Sequence, residues 1–130
     1  MSLARDGLPK ETHLRASGEF QRVYAAGRRY EGRFLTAFVL DNNLPHHRFG
    51  ITASRKAIGN AVERNRSKRL LREAFRLSAA SLANMQGKYD WVLNARRALL
   101  HTKLDAPLAE FQRIVARAAS DEARGAAAES

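Results

Sequence analysis

Thirteen residues, Arg64 to Arg76, read RNRSKRLLREAFR and crowd six cationic side chains and one asparagine into a short stretch. Guanidinium groups pair with phosphate oxygens through two parallel hydrogen bonds and stack on flat rings. The chemistry on offer is therefore neutralisation of a polyanion. The wider segment from Arg48 to Arg76 holds nine Lys/Arg and two acids, a net of +7 out of a formal +10 for the whole chain. At about 100° per residue, Arg64, Lys68, Arg72 and Arg76 form one i,i+4 row of a helix, with Asn65 and Arg69 beside it. Like charges so spaced cost an isolated helix about 0.2–0.5 kcal/mol per pair, so the row is a poor choice for stability alone. Leu70, Ala74 and Leu77, with Leu71 alongside, point about the opposite way and are expected to dock on the rest of the fold.

No comparable constellation suggests bond-making chemistry. His46 and His47 are adjacent in a predicted turn, His13 and His101 are isolated, and the acids are scattered. Asp90 reads as the start of a strand. A metal-dependent nuclease needs convergent carboxylates, and a phosphate-cradling glycine loop is absent. There is no cysteine, which excludes disulfides and thiolate metal sites. We expect no catalytic residue and no protein-held metal.

The elements that must carry the basic row are legible in outline. A chain of 130 residues with 45% hydrophobic content suits one globular domain. Residues 1–13 read as a flexible tail, 14–119 as a single RNA-binding domain and 120–130 as a frayed C-terminal tail. Ser17 begins a short helical pattern with Phe20, Val23 and Tyr24, which Gly27 stops. Arg33 to Leu40 is aromatic and β-branched on both faces and reads as a central strand. Arg48 to Ser54 alternates and reads as a second strand, antiparallel to the first. Asn60 and Glu63 form a capping box for a helix reaching Leu77 or Ala80. Asp90 to Ala95 is a third strand, and Leu104 to Ala119 a closing amphipathic helix. The order α-β-β-α-β-α argues for an α/β (α+β) two-layer sandwich with a small central sheet.

A basic-region DNA reader needs a dimerising zipper after its helix, and here a strand follows. A membrane-surface helix needs its apolar face free, whereas the sheet claims it. No secretory signal or membrane-length apolar run is visible, which suggests a cytoplasmic protein. RNA is the favoured partner.

The run FGITASRKAIGNAVERNRSKRLLREAFR, Phe49 to Arg76, resembles the protein subunit of bacterial ribonuclease P. The Arg-Asn-Arg box, the basic pair Arg55-Lys56 and the Gly59–Val62 segment carry the likeness, which extends from about Leu14 to Ala119. The resemblance implies a left-handed β-α-β crossover in a ribosomal-protein-like fold. It implies a role in removing the 5′ leader of precursor tRNA, as accessory subunit of an endoribonuclease whose RNA performs the hydrolysis with Mg²⁺ or similar divalent ions. It also implies two surfaces. Arg55, Lys56, Arg64, Asn65, Arg66, Lys68, Arg69 and Arg72 would face the catalytic RNA. Phe20, Tyr24, Arg33, Leu35 and Ala37 would line a cleft for the single-stranded leader, leaving Phe34, Phe38 and Leu40 for the core. No obligate protein partner and no membrane are expected. The alternative is a ribosomal-type RNA-binding or RNA-chaperone protein.

Overall fold

The computed structural model describes residues 10–129, with side chains through residue 125. Among the described residues, strands β1 (Arg28–Glu31), β2 (Leu35–Asp41), β3 (Arg48–Thr52) and β4 (Tyr89–Ala95) form one sheet in the order β1-β2-β4-β3. The helices are α1 (Ser17–Ala26), α2 (Ala61–Leu77), α3 (Ala79–Ala83) and α4 (Asp105–Glu129). Short 3-10 turns occupy Lys10–Thr12 and Arg97–His101. The architecture is the expected mixed α/β sandwich.

The pairing departs from expectation at one point. β2 and β3 are not neighbours, because β4 lies between them, antiparallel to β2 and parallel to β3. The crossover from β3 to β4 runs through α2 and α3. β1, absent from the sequence reading, pairs antiparallel with β2. Its sequence RRYE holds one apolar residue, Tyr30, which is buried against the core while its neighbours stay exposed. An edge strand needs no more than that.

Successive strand residues point to opposite faces, and the two faces differ. Leu35, Ala37, Val39, Phe49, Trp91 and Leu93 join α2 and α4 in the main core, with Phe49 stacked on Phe75 at 4.5 Å and Trp91 edge-on to Phe111 at 5.5 Å. The other face carries a smaller cluster of Leu14, Val23 and Val92, against which Phe20, Phe38 and Leu40 pack. Val23 is fully buried there, a contribution of about 1.5–3 kcal/mol. It fixes α1 over part of this face.

The phase of β2 comes from a tether outside the strand. The buried carboxylate of Glu110 on α4 accepts the backbone N–H groups of Arg33, Phe34 and Leu35 at 2.7, 2.8 and 3.0 Å. It holds Arg33 outside the strand and starts the alternation at Leu35.

Both expected chain ends change. Residues 1–9 lie outside the described residues, but Lys10–Thr12 form a turn and His13 bridges Phe49. The closing helix does not stop at Ala119; it continues to Glu129. Asp121 accepts the Tyr30 hydroxyl at 2.6 Å. Glu122 accepts the Tyr89 hydroxyl at 2.6 Å and the N–H groups of Gln86 and Gly87 at 2.9 and 2.7 Å. Burial works to raise the Glu122 pKa, but these donors outweigh it and hold the carboxyl below its ordinary value. The same contact, after burial, pushes the Tyr89 phenol well up.

Candidate RNA interface

The basic helix starts as its sequence dictates. Asn60 accepts the N–H of Glu63 at 2.9 Å, and the Glu63 carboxylate accepts the N–H of Asn60 at 3.2 Å. Gly59 precedes the cap at φ +127°, a conformation that side-chain-bearing residues rarely adopt. α2 docks through Ser67, Leu71, Ala74 and Phe75. That stripe is turned relative to the expected one: Leu77 is 44% exposed, and Phe75 takes the core position.

This rotation sorts the expected cations. Asn65, Arg69 and Arg72 are exposed, as are Arg55 and Lys56 in the turn before the helix, and Lys68 is half-buried. Among the described residues, none of these five cations has an ion-pair partner. Arg64 is half-buried, and its Nε, like the Oγ of Ser67 three residues on, is buried without a hydrogen-bond partner among the described residues. Arg66 is tied inward, donating to the carbonyls of Leu99 at 3.3 Å and Thr102 at 2.5 Å. Arg76 donates to Glu73 at 3.0 and 2.6 Å. Those bonds hold the Glu73 carboxyl below its usual range. The free cationic surface is thus Arg55, Lys56, Lys68, Arg69 and Arg72 with Asn65, flanked by Arg64.

The second surface is the sheet face only partly covered by α1. Three rows cross it: Thr36–Asn94–Thr52, then Phe38–Val92–Gly50, then Leu40–Asp90–Arg48. α1 covers the last two. Phe20 lies on Gly50, where a Cβ would come within 2.4 Å of its ring. The third row is ionic. Asp90, with no exposed surface, accepts Arg48 Nε and Nη2 at 2.8 and 2.7 Å, Arg22 Nη2 at 3.1 Å and Asn42 Nδ2 at 2.9 Å. Arg48 also donates to Glu19 at 2.9 Å, and Glu19 caps α1 by accepting the N–H groups of Arg15 and Ala16 at 2.8 and 3.1 Å. These backbone bonds, with Arg48 adding to them, hold the Glu19 carboxyl below its ordinary pKa.

Tyr24 stands at the rim of the first row, 39% exposed and edge-on to Phe38 at 4.9 Å. The Arg29 guanidinium lies 5.9 Å from the Phe38 ring centre. Aromatic faces beside a guanidinium suit single-stranded nucleic acid, whose bases stack and whose phosphates need countercharge.

Of the residues expected in a cleft, Phe20 and Tyr24 do lie on this face. Leu35 and Ala37 do not: both are fully buried on the opposite face, in the main core. Arg33 is no floor residue either, since it precedes the strand and lies over Phe34 at 5.6 Å. The floor of this face is Thr36, itself nearly buried, with half-buried Phe38, Asn94 and Thr52, and Phe38 and Leu40 lie on the α1 side rather than in the main core. The strand is apolar on both faces, so alternation alone could not set its phase. The available signal was Thr36, the lone polar residue in LTAFVL.

The family model described as "Ribonuclease P" matches residues 8–119. The chain belongs to the ribonuclease P protein family. The ribonuclease P protein component of Natranaerobius thermophilus is 43% identical over 83 residues, covering 64% of this chain and 69% of that protein. The corresponding component of Methylococcus capsulatus is 42% identical over 90 residues, covering 69% and 67%. Among solved structures, the RNase P protein of Staphylococcus aureus superposes with a TM-score of 0.71 at 26% identity, covering 82% of this chain and 94% of that one. The Thermotoga maritima protein gives 0.70 at 23% identity, which speaks for the fold. The function is the family's, RNA binding and tRNA processing as part of a ribonucleoprotein, and the ribosomal-type alternative is not favoured. Among the described residues, no helix is long and apolar enough to cross a membrane.

Proposed function

We propose that the two surfaces divide the work of 5′-leader removal. The exposed side of α2, with the turn before it, binds the catalytic RNA of ribonuclease P. The sheet face beside α1 holds the single-stranded leader of precursor tRNA. Hydrolysis belongs to the RNA. The observation that carries this reading is the separation of the two chemistries. Unpaired cations cluster on α2, whereas rings and neutral polar groups line the cleft.

The divalent ions that such a reaction uses would be held mainly by the RNA. An obligate protein partner is not needed for this division, and a cytoplasmic location, where transcripts are matured, goes with it.

The test is multiple-turnover cleavage of a precursor tRNA at low Mg²⁺ with bacterial ribonuclease P RNA. Addition of the protein should stimulate cleavage at the leader junction, and protein alone should cut nothing. Tight RNA binding without stimulation would refute the proposal.

A further inference from the structure

One end of the sheet carries a cavity that neither surface uses. β2 begins and β4 ends there, with Leu35 opposite Ala95. The cavity, of about 480 Å³, is lined by Arg33, Phe34, Arg97, Ala98, His101 and Thr102. Small-ligand sites run from roughly 300 to 1,000 Å³. The lining holds two guanidinium groups, an imidazole and an aromatic ring, and no acid.

The arginines that serve the fold at this end are tied to it. Arg96 donates to the Gly32 carbonyl at 2.6 Å and lies 3.7 Å from the Glu31 carboxylate. Arg66 reaches from α2 to the Leu99 and Thr102 carbonyls. Arg33, Arg97 and His101 are different: all three are exposed and, among the described residues, none has an ion-pair partner. Arg33 lies over the half-buried Phe34 ring, 5.6 Å from its centre. The walls beneath these side chains are fixed. Glu110 holds the N–H groups of residues 33–35, and the Arg96 N–H donates to the Phe34 carbonyl at 3.0 Å.

We propose that this cavity takes one unpaired nucleotide of the RNA bound along α2, with its base on the Arg33–Phe34 pair and a phosphate between Arg97 and His101. This rests on the reading of α2 as the face toward the catalytic RNA, and it adds a site off that helix. Unpaired RNA bases are held by stacking on aromatic rings and guanidinium planes. Phosphates are held by guanidinium and imidazole N–H donors. A concave site with a ring in its wall fits one splayed base, whereas a duplex keeps its bases stacked inside. Continuity selects the RNA. Arg66 ties the 3-10 turn to α2, and β3 runs from this same end, Thr52 opposite Asn94, into the turn with Arg55 and Lys56. The leader is the wrong strand, because Phe34 packs on the main core under α2 and α4 and not on the α1 face.

The chain has no cysteine, so His101→Cys accepts a photoreactive aryl azide at one point. In the holoenzyme assembled with bacterial ribonuclease P RNA and precursor tRNA, it should crosslink to one unpaired nucleotide of the catalytic RNA. Crosslinks to the leader, to paired nucleotides only, or to nothing would overturn the proposal. Arg97→Ala, at an exposed side chain, should weaken assembly and flatten its log–log salt slope by about 0.7–0.9. Phe34→Leu, assayed where its urea titration shows it folded, should weaken assembly about 5- to 100-fold with the salt slope unchanged. Wild-type affinity in both variants would also overturn the proposal. Adenosine monophosphate bound by the free protein, with no crosslink to the RNA, would give the cavity to a free nucleotide instead. RNA affinity untouched by Arg69→Ala and Arg72→Ala would overturn the reading of α2 itself.

Discussion

Replacing Asp90 by alanine removes the acceptor on which Arg48, Arg22 and Asn42 converge. The Asp90 side chain has no exposed surface, and that of Arg48 is 18% exposed. Taking one partner from a buried ion pair costs about 3–5 kcal/mol, because the other charge stays desolvated. Two features temper the loss here. Glu19 still accepts one Arg48 nitrogen at 2.9 Å, and Arg22, 53% exposed, turns to water. The expected cost is therefore near the low end, about 3 kcal/mol. With a urea dependence of about 1.5 kcal/mol per M, the unfolding midpoint falls by roughly 2 M. The assay is built in: Trp91 is the only tryptophan and is fully buried, so its fluorescence follows unfolding. The companion variant Asp90→Leu, Arg48→Met removes both charges and should cost less than Asp90→Ala alone. A loss below about 1 kcal/mol for Asp90→Ala, or a double variant worse than the single, would refute the reasoning.

Phe38→Ala should weaken precursor tRNA binding by about 1–3 kcal/mol with mature tRNA little changed, whereas Leu35→Ala should cost about 2–5 kcal/mol of stability; the reverse pattern would restore the opposite strand phase. Arg69→Ala and Arg72→Ala should each flatten the salt dependence of RNA affinity by about 0.7–0.9 in log–log slope. Arg66→Ala should instead cost about 1.5–3 kcal/mol of stability, since its guanidinium holds the Leu99 and Thr102 carbonyls; urea titration and filter binding separate the two. His47 supplies a pH dependence. Its Nδ1 accepts the Tyr89 N–H and the Trp91 indole N–H, and its Nε2–H donates to the Leu82 carbonyl. Burial above all lowers its pKa below 6.5. The unfolded chain therefore takes up the proton first, and stability present above pH 6.5 is lost as pH falls toward the folded pKa. Unfolding between pH 7 and 5 should show this slope, and His47→Gln should remove it.

The basic helix was legible because its information is local. Asn60 and Glu63 announce its start, and the arginine spacing announces its charged side. Its rotation was not, since Leu77 and Phe75 compete for the core and only the sheet decides between them. β1 hid behind three charged residues. The Asp90 network could not be read at all: its partners lie on β3, α1 and the β2–β3 turn, far apart in sequence. The cleft was half visible. Phe20 and Tyr24 could be placed from helix spacing, but the floor depended on the Glu110 tether, a contact made across 75 residues or more. The extension of α4 did leave a signal, the alanine-rich run after Ala118, which favours helix despite Gly125.

The position of β4 between β2 and β3 also sets a timetable. About 37 residues separate Thr52 from Tyr89, which a ribosome adds in roughly 2–7 s. During that interval β1 and β2 can form a hairpin, but β3 has no strand to lie against. α2 is made in the same interval, and its apolar stripe waits for a surface that does not yet exist. Its cations meanwhile are available to any RNA nearby. The central strand arrives last among the four, so the sheet is a property of the nearly finished chain rather than of the growing one.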